Sequence, residues 1–437
     1  MRKTSLALAV AASTLGLSLS QAAFADFIGD STATLEARNF YFNRDFRQGN
    51  TNTPTPKQSK QEEWAQGFIL RANSGFTEGT VGFGADAIGM FGFKLDSGDG
   101  TAGSGLLVAD KSSGGSQDNN SDLAVAAKAK ISNSTLRVGQ MQFKNAAIAS
   151  SDGRLLPQVF EAGHLVSQEI DGLMLEAAHI REVNNRNSND YEDISIANSF
   201  TKGTKGASDK VGARGIRLSS GAATDSFDFI GGTYKLTKDL TAGYYYSNLD
   251  ELYKQHSFNA VHVLPLGDKQ SLKTDLRYAR STDDGNRSNV DNSAIGAMVT
   301  YGLGGHAFGL GYQKMSGDTG FAYINGTDPF LVNYVQISDF ANKDEKSYQA
   351  RYDFNFASIG IPGLTFMTRY LTGDNVDRGR NLSEGKEWER NTELMYVFQE
   401  GALKNLGVRW RNAAVRSNFA NDIDENRLIV SYTLPLL

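Results

Sequence analysis

The nine residues YQARYDFNF, Tyr348 to Phe356, alternate strictly between apolar and polar side chains. One face of this segment would carry only apolar and aromatic groups, while the other would carry Gln349, Arg351, Asp353 and Asn355. Such period-two alternation is typical of a β-strand whose two faces meet different surroundings. The same pattern recurs at residues 272–278, 364–370 and 428–434, and no comparable stretch has helical spacing. The sequence therefore predicts an all-β chain.

The composition excludes several other classes of protein. Of the 437 residues, 40% are hydrophobic and 21% are charged, and the formal net charge is -5. A bundle of membrane helices would need several runs of about 20 apolar residues, which this chain lacks. The absence of cysteine excludes a disulfide scaffold and any thiolate metal site. The acidic balance does not favour nucleic-acid binding.

The first 25 residues have the features of a secretory signal peptide. Arg2 and Lys3 precede an apolar stretch, and Ala23-Phe24-Ala25 forms a small-residue cleavage site. We expect the mature chain to be residues 26–437, a single domain whose net charge is -7 once Arg2 and Lys3 are removed.

Alternation alone fits either a soluble sandwich or a membrane barrel, because both place polar and apolar groups on opposite faces. Three further features favour the barrel. Short connections, such as residues 267–269 and 302–305, contrast with long polar ones at 43–63, 97–120, 144–165, 181–210, 316–329 and 373–390. Aromatic residues crowd strand ends, as at Tyr41 and Phe42 or residues 244–246, where an interfacial girdle would lie. The last alternating segment reaches the final residue.

Length sets the size of the barrel. A transmembrane antiparallel β-barrel of about 18 strands, with short periplasmic turns and long external loops, accounts for the mature chain. Such a wall is roughly 35 Å across, given a strand spacing of about 4.8 Å and a tilt of about 40°. A small solute is far narrower, so we expect some loops to fold inward.

The charged residues indicate what the lumen would bind. Five arginines lie in mid-strand opposite the apolar face, and placing each in lipid would cost about 2–4 kcal/mol, so they should line the lumen. A series of guanidinium groups can pass an anion along the wall through bidentate hydrogen bonds. The alternative is that these arginines pair with lumen acids such as Glu36, Asp275 and Asp353 and only brace the barrel. The mid-strand arginines are Arg351, Arg369, Arg409, Arg411 and Arg427, and parity adds Arg38, Arg71, Lys128, Lys130, Lys273 and Arg277.

Several motifs give the sequence a family resemblance over the whole mature chain. They include RNFYFNRD from Arg38, SGFTEGTVGFGADA from Ser74, RLLPQ from Arg154, EKSYQARYDFNFAS from Glu345 and PGLTFMTRYLTG from Pro362. In these motifs the chain resembles the OprD (Occ) outer-membrane channels of Gram-negative bacteria. The resemblance implies a monomeric or weakly trimeric 18-stranded barrel, constricted by its third and seventh external loops, that takes up small carboxylate-bearing nutrients such as amino acids, small peptides or aromatic acids.

The resemblance also implies which residues form the basic ladder. They are Arg38, Arg154, Arg351, Arg369, Arg409, Arg411 and Arg427, of which Arg154 is assigned by the resemblance alone because it lies in a loop. The chain departs from the family pattern at Phe143, at a short 314–348 region and in a long first loop containing Pro54 and Pro56. These departures fall on the constriction and the mouth, so the substrate stays open.

Two further questions concern the loops and catalysis. The acidic loop residues Glu161, Asp318 and Asp328 could hold a substrate ammonium group at the constriction, or they could be solvated loop charges. No hydrolase elbow, zinc-protease or phosphate-loop motif occurs, and the five histidines show no metal-ligand spacing. We expect no enzyme activity, metal or cofactor. The partners would be small carboxylate solutes, outer-membrane lipid and lipopolysaccharide. A non-selective porin and, less favoured, an outer-membrane hydrolase remain the alternatives.

Overall fold

The described residues form one closed antiparallel β-barrel of eighteen strands. The computed structural model describes residues 27–47, 58–110, 114–197, 214–379 and 382–437. The strands are β1 (Thr32–Phe46), β2 (Lys60–Asn73), β3 (Gly82–Asp96), β4 (Asn119–Ile131), β5 (Ser134–Met141), β6 (Val159–Ile170), β7 (Leu173–Asn184), β8 (Phe227–Lys235), β9 (Leu240–Leu249), β10 (Tyr253–Gly267), β11 (Gln270–Asp283), β12 (Asp291–Leu303), β13 (His306–Ser316), β14 (Lys346–Asn355), β15 (Leu364–Val376), β16 (Gly385–Val397), β17 (Gly407–Ser417) and β18 (Ile423–Pro435).

Each strand pairs with its neighbours in sequence, and β1 pairs with β18 to close the sheet. Closure removes the unpaired edges that an open sheet would leave, and it excludes the soluble sandwich. The predicted fold class and strand number are therefore confirmed. Within the described ranges, no helix is long and apolar enough to cross a membrane.

The apolar side chains face outward, as the alternation predicts. Tyr348, Tyr370, Trp410 and Leu428 are each more than 40% exposed on the outer wall. Their sequence neighbours, among them the predicted lumen arginines, point into the barrel, where they are buried or half-buried. The outer wall thus offers an apolar surface to hydrocarbon, and charged groups surround the bore.

The two ends of the barrel differ in their connections. At one end the strands are joined by turns as short as residues 132–133, 171–172, 268–269 and 304–305. At the other end lie long connections, which we number L1 to L9. The longest are L2 (97–118), L3 (142–158), L4 (185–226) and L7 (317–345), whereas L5 (250–252) and L9 (418–422) are short.

Four of the predicted loop ends are wrong by more than about five residues. Strand β6 begins at Val159, L4 continues to residue 226, L7 continues to residue 345, and L8 is reduced to residues 377–384. Strand pairing in β6, β15 and β16 extends into polar sequence, because backbone hydrogen bonds form regardless of which side chains alternate there. Glu161 consequently lies in strand β6 and not in a loop.

Several long loops fold inward and dock on glycines of the barrel wall. A Cβ atom built on Gly92 would lie 2.8 Å from Leu155 of L3, and one on Gly67 would lie 3.1 Å from the same side chain. A Cβ on Gly296 would lie 2.8 Å from Val332 of L7. The missing side chains therefore leave sockets that the loops fill.

Two aromatic residues assigned to the interfacial girdle lie inside the barrel instead. Phe42 and Tyr245 are almost fully buried on the lumen face. Phe42 packs with Leu106 and Leu107 of L2 and with Leu155 of L3. Inward loops supply apolar surface within the bore, so an aromatic residue near a strand end need not face lipid. Tyr244 is 40% exposed on the outer wall, in agreement with the girdle.

Candidate functional site

Two pairs of lumen arginines lie directly opposite each other on neighbouring strands. Arg351 of β14 is in register with Arg369 of β15, and Arg411 of β17 is in register with Arg427 of β18. Like charges at directly opposed positions destabilise a sheet unless other charges compensate. The strands β14, β15, β17 and β18 therefore place these four guanidinium groups together on the lumen wall.

Most of these arginines have an acidic partner on the lumen wall. Arg351 binds Asp353 through two hydrogen bonds of 2.7 Å, and Arg427 donates to Glu425 at 2.6 Å. Arg411 and Arg409 share one carboxylate, Glu393, at 3.0 and 3.7 Å. The remaining paired groups, with their partners, are Arg38 with Glu36 and Asp152, Arg71 with the same two acids, and Arg277 with Asp275. Individual arginines are therefore paired with lumen acids, as expected if these pairs brace the barrel.

Two ladder residues lack a carboxylate within 4.0 Å in the described part of the chain. Arg369 donates through Nε to the amide oxygen of Asn391 at 2.7 Å. Arg154 donates to the backbone oxygens of Ser104 at 2.9 Å and Gly153 at 3.0 Å. No carboxylate among the described residues offsets the charge of these guanidinium groups. Each retains N–H groups that could donate hydrogen bonds to an incoming carboxylate.

Arg186 of L4, which sequence reasoning missed, belongs with Arg154. A Cβ built on Gly105 of L2 would lie 3.6 Å from Nε of Arg186 and 3.7 Å from Nε of Arg154, so the two groups flank one point of the constriction. Arg186 donates to Ser151 at 2.9 Å, and it too has no ion-pair partner among the residues described. Burial lowers the pKa of both arginines, and the nearby charge of Arg427 lowers that of Arg154 further, whereas Tyr334 and Asp328 partly offset the effect of burial at Arg186.

The ring of Phe42 holds three guanidinium groups together. The Cζ atoms of Arg44, Arg154 and Arg427 lie 5.2–5.5 Å from its centroid. Each such contact contributes about 0.5–2 kcal/mol when the cation is desolvated. Glu425 is the acid at this cluster, within 2.5 Å of Arg44 and 2.6 Å of Arg427. We call Phe42, Arg44, Arg154, Arg427 and Glu425 the Phe42 cluster.

Loop L3 is tied to the wall beneath this cluster. Asp152 binds Arg38 at 2.8 Å, and Arg38 also donates to the backbone oxygen of Arg154 at 2.7 Å. At the start of L3, Phe143 packs edge-on against Phe160 and Phe229, so this departure from the family pattern serves as an anchor. Arg38 therefore positions the backbone of the loop that carries Arg154.

Below the constriction, a cavity of about 540 Å³ opens toward the turn at residues 304–305. Positive groups occupy one side of it, and Met367 adds an apolar surface. The lining residues with charge are Arg351, Arg369, Arg411, Asp353 and Glu393. The size suits a small organic anion, and the arginines of β14, β15 and β17 reach it together.

The other predicted lumen cations contribute less. Lys128 is buried against Asp86 at 2.6 Å, and the ammonium group of Lys130 lies 5.7 Å from the ring of Phe76. Lys273 is exposed and has no ion-pair partner in the described ranges, whereas Arg277 is bound to Asp275. These groups lie on other strands of the wall and do not join the Phe42 cluster.

The three acidic candidates are not brought together. Glu161 faces Glu182 across strands β6 and β7, and Asp318 is exposed at the beginning of L7. Asp328 is the one at the constriction, where it accepts a hydrogen bond from Tyr334 at 3.0 Å and its backbone N–H donates to Ala149 of L3 at 2.9 Å. The described contacts do not join these three residues, and their part in holding a substrate ammonium group stays a prediction. In the ranges that the structure describes, no three His, Asp or Glu side chains are grouped to hold a metal ion.

Comparison with known proteins agrees with this geometry. The family model described as outer membrane porin, OprD family, matches residues 25–436. The chain belongs to the OprD family of outer-membrane porins. Porin D of Pseudomonas aeruginosa is 36% identical over 470 residues, covering 100% of this chain and 99% of Porin D. The crystal structure of Pseudomonas aeruginosa OpdQ is 57% identical, with a TM-score of 0.83, over 94% of this chain and all of OpdQ. OccK3 of the same species is 48% identical, with a TM-score of 0.80, over 95% of this chain and 98% of OccK3.

Membership in the OprD family gives the barrel its orientation and setting. The porin lies in the outer membrane of a Gram-negative bacterium, with its short turns toward the periplasm and L1 to L9 outside. Its relatives are channels that pass small solutes and are not enzymes. The residues described above therefore line a permeation path.

Proposed function

We propose that this porin selects small solutes bearing a carboxylate and guides them along the lumen arginines. The observation that carries the proposal is that Arg154, Arg186 and Arg369 have no carboxylate partner in the described ranges, although each lies on the bore or its constriction. Arg409 and Arg411 add one further unbalanced charge because they share Glu393. The carboxylate of an incoming solute would supply the anionic partner that these arginines lack.

The arrangement supports stepwise movement of the anion. A carboxylate would first meet Arg154 and Arg186 at the constriction, and would then pass to the paired arginines of β14 to β18. Each guanidinium group offers a bidentate site and stays charged at every physiological pH. The low-dielectric wall focuses the positive field and can raise association rates by about 10-fold or more at low salt.

A non-selective porin is the second candidate, and one observation favours it. Arg38, Arg277 and Arg351 each pair with a carboxylate on the same strand, two residues away. If all lumen arginines were balanced in this way, the bore would discriminate by size alone. The unpaired groups at the constriction argue for selectivity.

Uptake into proteoliposomes tests the proposal with solutes matched in size. Benzoate and benzamide differ in charge and hardly in shape, and butyrate and butyramide form an aliphatic pair. We expect each acid to permeate faster than its amide, with a ratio that falls as salt screens the lumen charges. Equal rates for acid and amide would establish the non-selective porin instead.

We also propose that the barrel works as a monomer or weak homotrimer, surrounded by outer-membrane lipid and lipopolysaccharide. The continuous apolar outer wall supports contact with lipid. The mass of the detergent-solubilised complex, measured by light scattering, distinguishes one copy from three.

A further inference from the structure

A segment of L7, residues 336–342, lies along a row of four carboxylates. Three of them are on the barrel wall, and the fourth is Glu345 at the end of L7. Gln336 donates to Glu425 at 2.9 Å, and the backbone N–H of Ser338 donates to Glu389 at 2.7 Å. The hydroxyl of Ser338 donates to Glu387 at 3.0 Å. At the end of the row, the backbone N–H of Asn342 donates to Glu345 at 3.0 Å. The carboxylates on β16 and β18 therefore hold the constriction loop to the wall.

These four carboxylates are buried but are not equally compensated. Glu425 has Arg44 and Arg427 as ion-pair partners. Glu345, Glu387 and Glu389 are at most 8% exposed, and in the described ranges none has a cation within 4.0 Å. An isolated buried carboxylate is so costly that it takes up a proton instead.

Glu345 and Glu387 share a single donor. The side-chain amide of Asn342 donates to Glu345 at 2.8 Å and to Glu387 at 2.9 Å. The other oxygen of Glu345, Oε1, is buried and has no hydrogen-bond partner among the described atoms. Because one amide nitrogen contacts both, the two carboxyl groups are adjacent. A proton on one of them would supply the donor that this arrangement lacks.

We propose that Glu345 and Glu387 form a proton-operated latch that holds L7 against the wall when they share a proton and releases it when both are ionised. The latch would regulate the same constriction that the proposed function uses, and it rests on that function only for the role of L7 in the permeation path. The apolar contacts of Val335 and Phe340 with Leu371 anchor the loop at any pH, so only the polar contacts would respond.

Charges on five elements, L4, L7, β15, β16 and β18, act on the latch and on its neighbour Glu389. The like charges that face Glu387 are those of Glu389 on β16 and Asp339 in L7. Arg214 of L4 acts on Glu345 and favours its ionisation, and the charges that face Glu389 are those of Arg369 on β15 and Glu425 on β18. Burial, followed by the charge of Glu387, raises the pKa of Glu345 well above its ordinary value.

The direction of the pH response follows from this shift. Docking of L7 binds a proton, because the docked carboxyl has the higher pKa. The docked state is therefore fully favoured below the ordinary carboxyl pKa and is lost as pH rises through the raised value. For one proton, the ratio of docked to undocked loops falls about tenfold for each pH unit between the ordinary and the raised pKa, and it is constant above the raised pKa.

Single-channel recording in planar bilayers from pH 5 to pH 9 tests the latch. We expect the wild-type porin to spend less time in its low-conductance state as pH rises. Glu345→Gln and Glu387→Gln each replace the shared proton with a permanent amide donor, so both variants should stay in that state across the range. Asp99→Asn is the matched control, because Asp99 is an exposed external-loop carboxylate in L2, and it should respond as the wild type does.

A wild-type channel whose state occupancy is constant from pH 5 to pH 9 would overturn the latch, as would an unchanged pH response in both Gln variants. Heat-modifiable migration shows whether each variant has folded. Acid-to-amide permeability ratios, measured at pH 6 alone, report the proposed selectivity separately. A pH-insensitive porin that still prefers benzoate to benzamide would reject the latch and leave the selectivity intact.

Discussion

Arg351 and Arg369 face each other across strands β14 and β15, but only Arg351 is bound by a carboxylate. The guanidinium group of Arg369, which has no carboxylate partner among the described residues, is therefore the stronger anion site of the pair. We expect Arg369→Gln to lower benzoate uptake roughly tenfold, because one charge-assisted hydrogen bond contributes about 1.5 kcal/mol. Arg390→Gln removes the same charge from the outer face of β16 and should leave uptake unchanged. Equal losses in the two variants would contradict a specific role for Arg369.

Arg409 and Arg411 act with Glu393 as one charged group. Changing both arginines to Ala leaves Glu393 unpaired in the lumen, so we expect carboxylate uptake to fall and its dependence on salt to flatten. Adding Glu393→Gln removes the unpaired negative charge. If guanidinium groups guide the substrate, uptake by the triple variant stays low. Recovery to the wild-type rate would show that the unpaired carboxylate of Glu393, and not the loss of the guanidinium groups, lowers uptake.

Asp152 holds L3 to two wall arginines, Arg38 and Arg71. Its side chain is 40% exposed, so we expect Asp152→Asn to weaken the loop contact by less than about 1 kcal/mol. Loss of this carboxylate makes the net charge of the bore more positive by one unit. The reversal potential in a KCl gradient should therefore shift toward anion selectivity. Asp118→Asn, at a carboxylate that is 84% exposed, is the control and should give no shift.

Gly67 forms part of the socket for Leu155. A Cβ at this position would meet Leu155 Cγ at 3.1 Å and its backbone oxygen at 3.2 Å, and valine adds two further methyl groups. Overpacking of this kind costs about 1–3 kcal/mol, which displacement of L3 would relieve. We expect Gly67→Val to raise channel conductance and to weaken benzoate preference, because Arg154 moves with the loop. Gly163→Val is the matched change, since a Cβ on Gly163 has no atom within 4 Å. Loss of preference in that variant as well would point to a general defect of the barrel.

The signal peptide lies outside the described residues, and its cleavage stays a prediction. We propose that residues 1–25 are removed and that the mature porin begins at Asp26. Intact-mass measurement of the protein extracted from outer membranes should give a chain of 412 residues. A mass that includes residues 1–25 would contradict the cleavage site.

Local periodicity was sufficient to predict the barrel wall. The direction of a side chain in a strand depends only on parity, so Arg351, Arg369 and Arg411 could be assigned to the lumen without knowledge of any partner strand. The same rule applied to Phe42, which has the parity of Arg38 and Arg44. The prediction nevertheless placed Phe42 at the membrane interface, because the preference of aromatic residues for that position was given more weight than parity.

The pairing of charges was only partly visible in the sequence. Acids two residues from an arginine share its face, which identifies Glu36, Asp275 and Asp353 as partners, and Glu425 has the same relation to Arg427. The contacts of L3 were not predictable in this way. Asp152 and Arg154 meet Arg38 and Phe42 across more than 100 residues of sequence, and the docking depends on three-dimensional packing in the bore. Arg186 gave no periodic signal because it lies in L4.

The sockets at Gly67, Gly92 and Gly296 separate the wall, which spans the membrane, from the loops, which shape the bore. Each socket accepts its loop by shape complementarity, so a loop of different composition could replace it without changes to the barrel wall. New nutrient preferences could then arise by transplanting these loops between relatives, with membrane assembly left untouched.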